Sequence, residues 1–349
     1  MCLAVFAAPA RAARVRPAVK FLEINGSSKV KPSDFSEKHS KTIEKLMFTQ
    51  VRSSTKASLE AEKLKDILVS SLKEMGDFGL VEMDLIKLDW NDSEKPVLLL
   101  FEVIEKQDMA TRFPFRSVPK GEFPAIQNIL DAWSRYEEAG KKYERTLESV
   151  PDRPECPAFY CVWGSLTPEL AKLEEEFLAL VPPNEEMLGR AMQEDKNPKN
   201  RANSVFLLSY LRDGASVSRY MSNALMDPEA SVRDAAISVL SDMTVFHPEV
   251  PIEIHVINRL LDVPYPKDRT KALALMLNLA DNDSYRPFLI QTASKQILKI
   301  LRTRHPNNHD MAYTVLSLLS RESIARRDYD AWDRWIWKAR QEGKPSASE

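Results

Sequence analysis

The feature that most constrains this chain is a pattern that returns four times in its C-terminal half. Pro198-x-x-Arg201-x-x-Ser204-x-x-x-Leu208 is followed by Pro228 with Arg233-x-x-Ala236-x-x-x-Leu240. Pro266-x-x-Arg269-x-x-Ala272-x-x-x-Met276 comes next, and then Pro306-x-x-His309-x-x-Ala312-x-x-x-Leu316. The Arg or His position advances by 32, 36 and 40 residues, a spacing typical of helix pairs repeated along a chain. In each unit a proline stands where a helix would open, since its missing N–H costs nothing there. In the unit 227–243, Asp227 reads as an N-cap and Pro228 as the first helical residue. Val232, Ala235, Ala236, Val239, Leu240 and Met243 then trace one apolar stripe. Partner helices are expected over 217–225, 254–261 and 288–301, and no strand is expected from 184 to 341. The fold expected is therefore mainly α, an α-α superhelix over 184–341.

Upstream the pattern changes. Residues 1–13 run from an apolar stretch into Ala-Pro-Ala and Ala-Arg-Ala, which reads as the remnant of a secretory signal peptide. Residues 14–45 are mixed and rich in Ser and Lys and read as linker, and 46–106 reads as a small α+β module. In it, Leu59, Leu64, Ile67, Leu68 and Leu72 mark a helix over 57–75 that stops at Gly76. Two strands, 80–90 and 97–106, then face each other across the polar turn 91–96. Val81, Met83 and Leu85 alternate, after which Ile86, Leu88 and Trp90 take the opposite phase. Either a bulge near Leu85 or burial of both faces accounts for that switch. Residues 107–183 read as a helical connector, with one helix along Ile126 to Leu147 and another opened by Thr167-Pro168. Residues 342–349 read as a disordered tail.

Two family resemblances attach to these segments. The run Gly76-Asp77-Phe78-Gly79-Leu80-Val81, with a hairpin closing on Phe101-Glu102-Val103-Ile104-Glu105-Lys106, resembles the second half of a POTRA domain. That family places two helices between its first strand and the hairpin, and this sequence, whose first extended segment is expected at 46–53, offers room for one. Residues 184–340 resemble the HEAT-repeat family, carried best by Asp227-Pro228, Val232, Arg233 and Ala235-Ala236. His309 departs from it by replacing the repeat arginine. The POTRA resemblance implies an envelope role, with partners added to an exposed strand edge.

Chemistry-bearing constellations are few. Lys and Arg number 49 against 51 for Asp and Glu, a balance that argues against a nucleic-acid footprint. No run reaches the 18 or so apolar residues of a membrane span. Glycine-rich phosphate cradles, His-Glu-x-x-His helices and Gly-x-Ser-x-Gly elbows are all missing. Cys156 and Cys161 flank a proline and read as a disulfide, as two buried thiols or as half of a metal site. His305 and His309 share the i, i+4 spacing of metal ligands, but Pro306 sets the first outside the helix. His247 and His255 sit in a proline-flanked loop. Trp332, Trp335 and Trp337 form either an interaction patch or, for the first two with Ile336, the core of a capping helix. No catalytic, cofactor-binding or metal residue is assigned, and no cofactor is expected.

The expected function is a non-enzymatic protein-binding adaptor or scaffold, exported to the periplasm or cell envelope. Two alternatives stand beside it: a HEAT-like lyase handling a tetrapyrrole, and an intracellular, cytoplasmic scaffold.

Overall fold

The computed structural model describes residues 18–49, 55–88, 96–147 and 156–342. The leader 1–13 and most of the tail 342–349 lie outside them. The chain is mainly helical, with a small three-stranded sheet, and divides into two compact units, Met1–Ala110 and Thr111–Glu349.

The first unit contains β1 (Ala18–Asn25), α1 (Pro32–Thr49), α2 (Thr55–Gly76), β2 (Phe78–Lys87) and β3 (Pro96–Glu105). β3 lies in the middle, parallel to β1 and antiparallel to β2. Val97, Leu99, Phe101 and Val103 of β3 pack with Phe35, Ile43 and Leu46 of α1 and with Leu64, Leu68 and Leu72 of α2. The alternate residues Leu98, Leu100 and Ile104 are buried as well. Burial on both faces is a property of β3 and not of β2, where Leu85 and Ile86 are each half-buried, pairing with Leu99 and Leu98. The ladder is regular there, and its irregularity lies between Phe78 and Leu80.

Three expectations are corrected in this unit. The supposed linker 14–45 contains β1 and most of α1, so the module starts well before residue 46, and residues 46–49 of the segment expected to be extended are the last turn of α1. β1 escapes a local reading because its partner is some 78 residues away, as in Ala18 opposite Pro96. α1 escapes because only Phe35, Ile43, Leu46 and Met47 among its apolar residues are buried, with two polar turns between the first and second. The turn after α2 also differs. Gly76 is the last helical residue, and the left-handed backbone falls on Asp77, at φ 49°.

The short helix α3 (Met109–Arg112) spans the boundary, and the second unit continues with α4 (Gln127–Glu144), α5 (Pro168–Leu180), α6 (Glu185–Glu194), α7 (Pro198–Leu208), α8 (Gly214–Ala224), α9 (Ala230–Phe246) and α10 (Ile254–Leu260). It ends with α11 (Pro266–Ala280), α12 (Arg286–Thr292), α13 (Ser294–Leu301), α14 (Pro306–Ser320) and α15 (Tyr329–Glu342). Helix α7 packs on α9, α9 on α11 and α11 on α14, while α6, α8, α10 and α13 each pack on the helix that follows. The contact residues follow from the pattern: Ser204, Ala236, Ala272 and Ala312 are the seventh residues of α7, α9, α11 and α14. Leu208, Leu240, Met276 and Leu316 are the eleventh, and all eight are fully buried. Small residues at the seventh position let the backbones approach, and large ones a turn later fill the space between helices.

The segment 107–183 is more than a connector. Trp133 and Tyr136 of α4 and Phe177 of α5 share one continuous core with α6 to α15. Thr167 caps α5 by accepting from the Leu170 amide at 3.2 Å. Asp227, by contrast, caps no helix end, since α9 begins at Ala230.

Candidate functional site

The fourth residues of α7, α9, α11 and α14 are Arg201, Arg233, Arg269 and His309. An arginine in the first turn of a helix opposes its macrodipole, so the three guanidinium groups must be held by something else. Each arginine donates from Nη1 to the carbonyl six residues back, in the turn before its helix: Asp195, Asp227 and Val263, at 2.8, 2.8 and 3.0 Å. His309 Nδ1 lies 2.7 Å from the Leu301 carbonyl. The guanidinium groups of Arg201 and Arg233 also reach to the turn before the next of these helices. Arg201 forms a two-pronged pair with Asp227 (2.8 Å twice), and Arg233 donates to Asp268 (2.9 and 2.7 Å). All four of these charges are almost wholly buried. Burial pushes the Asp268 carboxyl above its ordinary range, against the pull of Arg233. Asp227 is thus an acceptor linking successive turns, and it also takes the Glu229 amide at 2.8 Å.

This row of turns holds a second length of chain. After Arg112, residues 113–123 run without helix across three successive turns, in the order opposite to the helices. Arg112 Nε donates to the Asp262 carbonyl at 3.3 Å, between α10 and α11. The Phe115 ring stacks on Tyr265, with centroids 5.9 Å apart, and carries the Arg233 guanidinium 4.2 Å above it. The Arg116 amide donates to Met226 O at 2.9 Å, between α8 and α9, and its Nη2 lies 3.5 Å from Asp227 Oδ2. Gly121 exchanges two backbone hydrogen bonds with the turn between α6 and α7, giving to Glu194 O (2.7 Å) and accepting from the Lys196 amide (2.8 Å). A Cβ on Gly121 would stand 2.7 Å from Glu194 O, so only glycine allows this approach. Sequence reasoning missed this segment. Pro114 and Pro119 mark it as extended, but nothing local names the surface it lies on.

The sequence-derived candidates fall elsewhere. Trp332 and Trp335 are buried and meet edge to face, with centroids 6.0 Å apart, whereas Trp337 is 67% exposed. The three do not make one patch, because the helical turn sends Trp337 to the opposite side from Trp332 and Trp335. Trp337 borders an open groove of about 930 Å³ between α13 and α15, together with Lys295, Lys299, Arg334 and the floor residues Leu298 and Ile336. His305 stands at the N-cap of α14, its Nδ1 facing the Asn308 amide at 3.4 Å. The His247 ring meets Phe159, with centroids 4.7 Å apart. Among the described residues no group of three or more His, Cys, Asp or Glu side chains is placed to hold a metal ion, and no helix is long and apolar enough to cross a membrane.

Cys156 and Cys161 are bonded sulfur to sulfur, with Cα atoms 5.6 Å apart. Beside them Glu174 of α5, only 3% exposed, accepts from Tyr136 (2.5 Å) and Tyr210 (2.7 Å). Burial raises the Glu174 carboxyl pKa, and the two phenol hydrogen bonds offset part of that rise.

Together these features describe a mainly helical protein with buried Arg–Asp links along a row of turns and an extended segment laid across it. No protein-family model matches the chain, and no curated protein matches it.

Proposed function

We propose that this protein is a non-enzymatic, protein-binding adaptor of the bacterial cell envelope, built as a HEAT-like solenoid joined to a POTRA-like unit. The observation that carries the reading is segment 113–123. A row of turns that binds an extended stretch of its own chain, through backbone hydrogen bonds, an aromatic–guanidinium stack and a glycine contact, has the chemistry to bind segments of other proteins. The fourth-, seventh- and eleventh-residue identities of α7, α9, α11 and α14 support the solenoid part, because each unit buries its face only against a neighbour. The first unit supports the POTRA part: two helices, α1 and α2, stand between β1 and the hairpin, which removes the departure noted in the sequence. In the order β1-β3-β2, strand β2 is an edge, and an edge strand can take up a peptide by strand addition.

Affinity capture with the full chain from its host, followed by titration of each recovered protein against the purified chain, tests this reading. Saturable binding by a defined partner is expected. A chain that binds none of the recovered proteins saturably contradicts it.

A further inference from the structure

The best-built polar cluster in the molecule plays no part in the adaptor reading. Glu174 is enclosed by the ring of Tyr136, the ring of Tyr210 and the Cys156–Cys161 segment, and its Oε2 lies 3.9 Å from Cys161 Sγ. The titratable groups facing it are Tyr136 from α4, Tyr210 from the turn after α7, and Cys161. Among the described residues no charged side chain contributes to its shift. Burial without a neighbouring cation raises the pKa of the Glu174 carboxyl, and its two phenol hydrogen bonds offset part of that rise. The two sulfurs are unequal. Cys161 is buried at 6% exposure, whereas Cys156 is only partly buried. An incoming nucleophile therefore reaches Cys156, and the sulfur that leaves is the one beside the carboxyl.

We infer that Cys156–Cys161 is a thiol–disulfide exchange site, independent of the adaptor reading, in which Glu174 carries the proton of the buried Cys161. The co-reactant is a thiol. Its thiolate attacks Cys156 Sγ along the S–S axis, and a bond forms between the two. The Cys156–Cys161 bond breaks with its electron pair on Cys161 Sγ, which takes the proton from the Glu174 carboxyl and becomes a thiol. A second thiolate attacks the mixed disulfide and releases Cys156 as thiolate. That thiolate and the Glu174 carboxylate each take up a proton from water. The sum is one protein disulfide and two thiols giving one protein dithiol and one small disulfide. In reverse, Glu174 as carboxylate takes the Cys161 proton while that sulfur attacks. The exchange bears on packing, because the segment between the cysteines is tied to the helices. The Phe159 amide donates to Ser209 O at 3.0 Å, and Tyr160 stacks on Phe206 with centroids 5.3 Å apart.

The test is reduction of the oxidised full chain by dithiothreitol across pH, quenched by alkylation and read as mass added per molecule. Rates are divided by the reductant's thiolate fraction. A proton-donating Glu174 makes the corrected rate high while the carboxyl is protonated and lower as pH rises through its raised pKa. Glu174→Gln removes the inflection and slows the acid limb by about tenfold or more. Tyr210→Phe deletes a hydrogen bond to the charged form, raises the Glu174 pKa further, and moves the inflection to higher pH. Three results each overturn the proposal: identical corrected profiles for wild type and Glu174→Gln, an inflection unmoved by Tyr210→Phe, or a disulfide reduced only after unfolding.

Discussion

Replacing Arg233 with Ala removes the most heavily used side chain in the row of turns. Its guanidinium donates to Asp268 through two nitrogens, to Asp227 O at 2.8 Å and to Pro228 O at 3.0 Å, and lies over Phe115. Deleting one partner of a buried ion pair costs about 3–5 kcal/mol, because the other charge stays behind unpaired. The aromatic contact is worth about 1–2 kcal/mol more. These terms share one side chain and do not add in full, so a loss of about 4 kcal/mol is expected. The double variant Arg233→Met/Asp268→Leu separates the parts. It removes both charges, which is often neutral for a buried pair, but it still strips the donor from two carbonyls, at about 1 kcal/mol each. It should therefore recover about half of the loss. Urea unfolding followed by tryptophan fluorescence reads the second unit through buried Trp133, Trp163 and Trp332. A loss below about 1 kcal/mol for Arg233→Ala, or a double variant as stable as wild type, would refute the claim that this residue links the turns.

Gly121→Ala forces a methyl group to 2.7 Å from Glu194 O; segment 113–123 should loosen there, read as faster hydrogen exchange at the Gly121 and Lys196 amides. Trp332→Ala empties a fully buried site and should cost about 3–5 kcal/mol, whereas Trp337→Ala should stay within about 0.5 kcal/mol of wild type in the same urea unfolding. Because burial raises the Glu174 pKa above the ordinary 4.5, the folded state holds a proton that the unfolded chain has lost. Stability then falls as pH rises from about 4.5 through the raised value and levels off above it. Glu174→Gln should flatten that decline in unfolding free energy measured across pH, and an unchanged slope would show that the carboxyl is not the source.

What could be read from the sequence, and what could not, follows from range. Arg201, Arg233 and Arg269 recur at visible spacing because each repeats a local task, holding the turn carbonyl six residues behind it. Thr167 and Pro168 announce α5 for the same reason. β1 leaves no local signal because its ladder joins residues some 78 apart, and the partner of Asp227, Arg201, lies 26 residues upstream, where an N-cap rule does not look. Segment 113–123 is the extreme case. Its two prolines fix an extended backbone, but its contacts at Tyr265, Met226 and Glu194 come from three different turns. The pairing of Glu174 with Tyr136 and Tyr210 likewise crosses 38 and 36 residues, and no short pattern records it.

The measurement that tests the adaptor account most directly is photo-crosslinking from the full chain in living cells of its host. Crosslinking residues are placed at Asp84 on the edge strand β2 and at Trp337 beside the α13–α15 groove, with exposed Lys172 on α5 as the control. The account predicts discrete adducts with one or more defined proteins from Asp84 or Trp337 and none from Lys172. A chain that gives no adduct above the control at either position contradicts it.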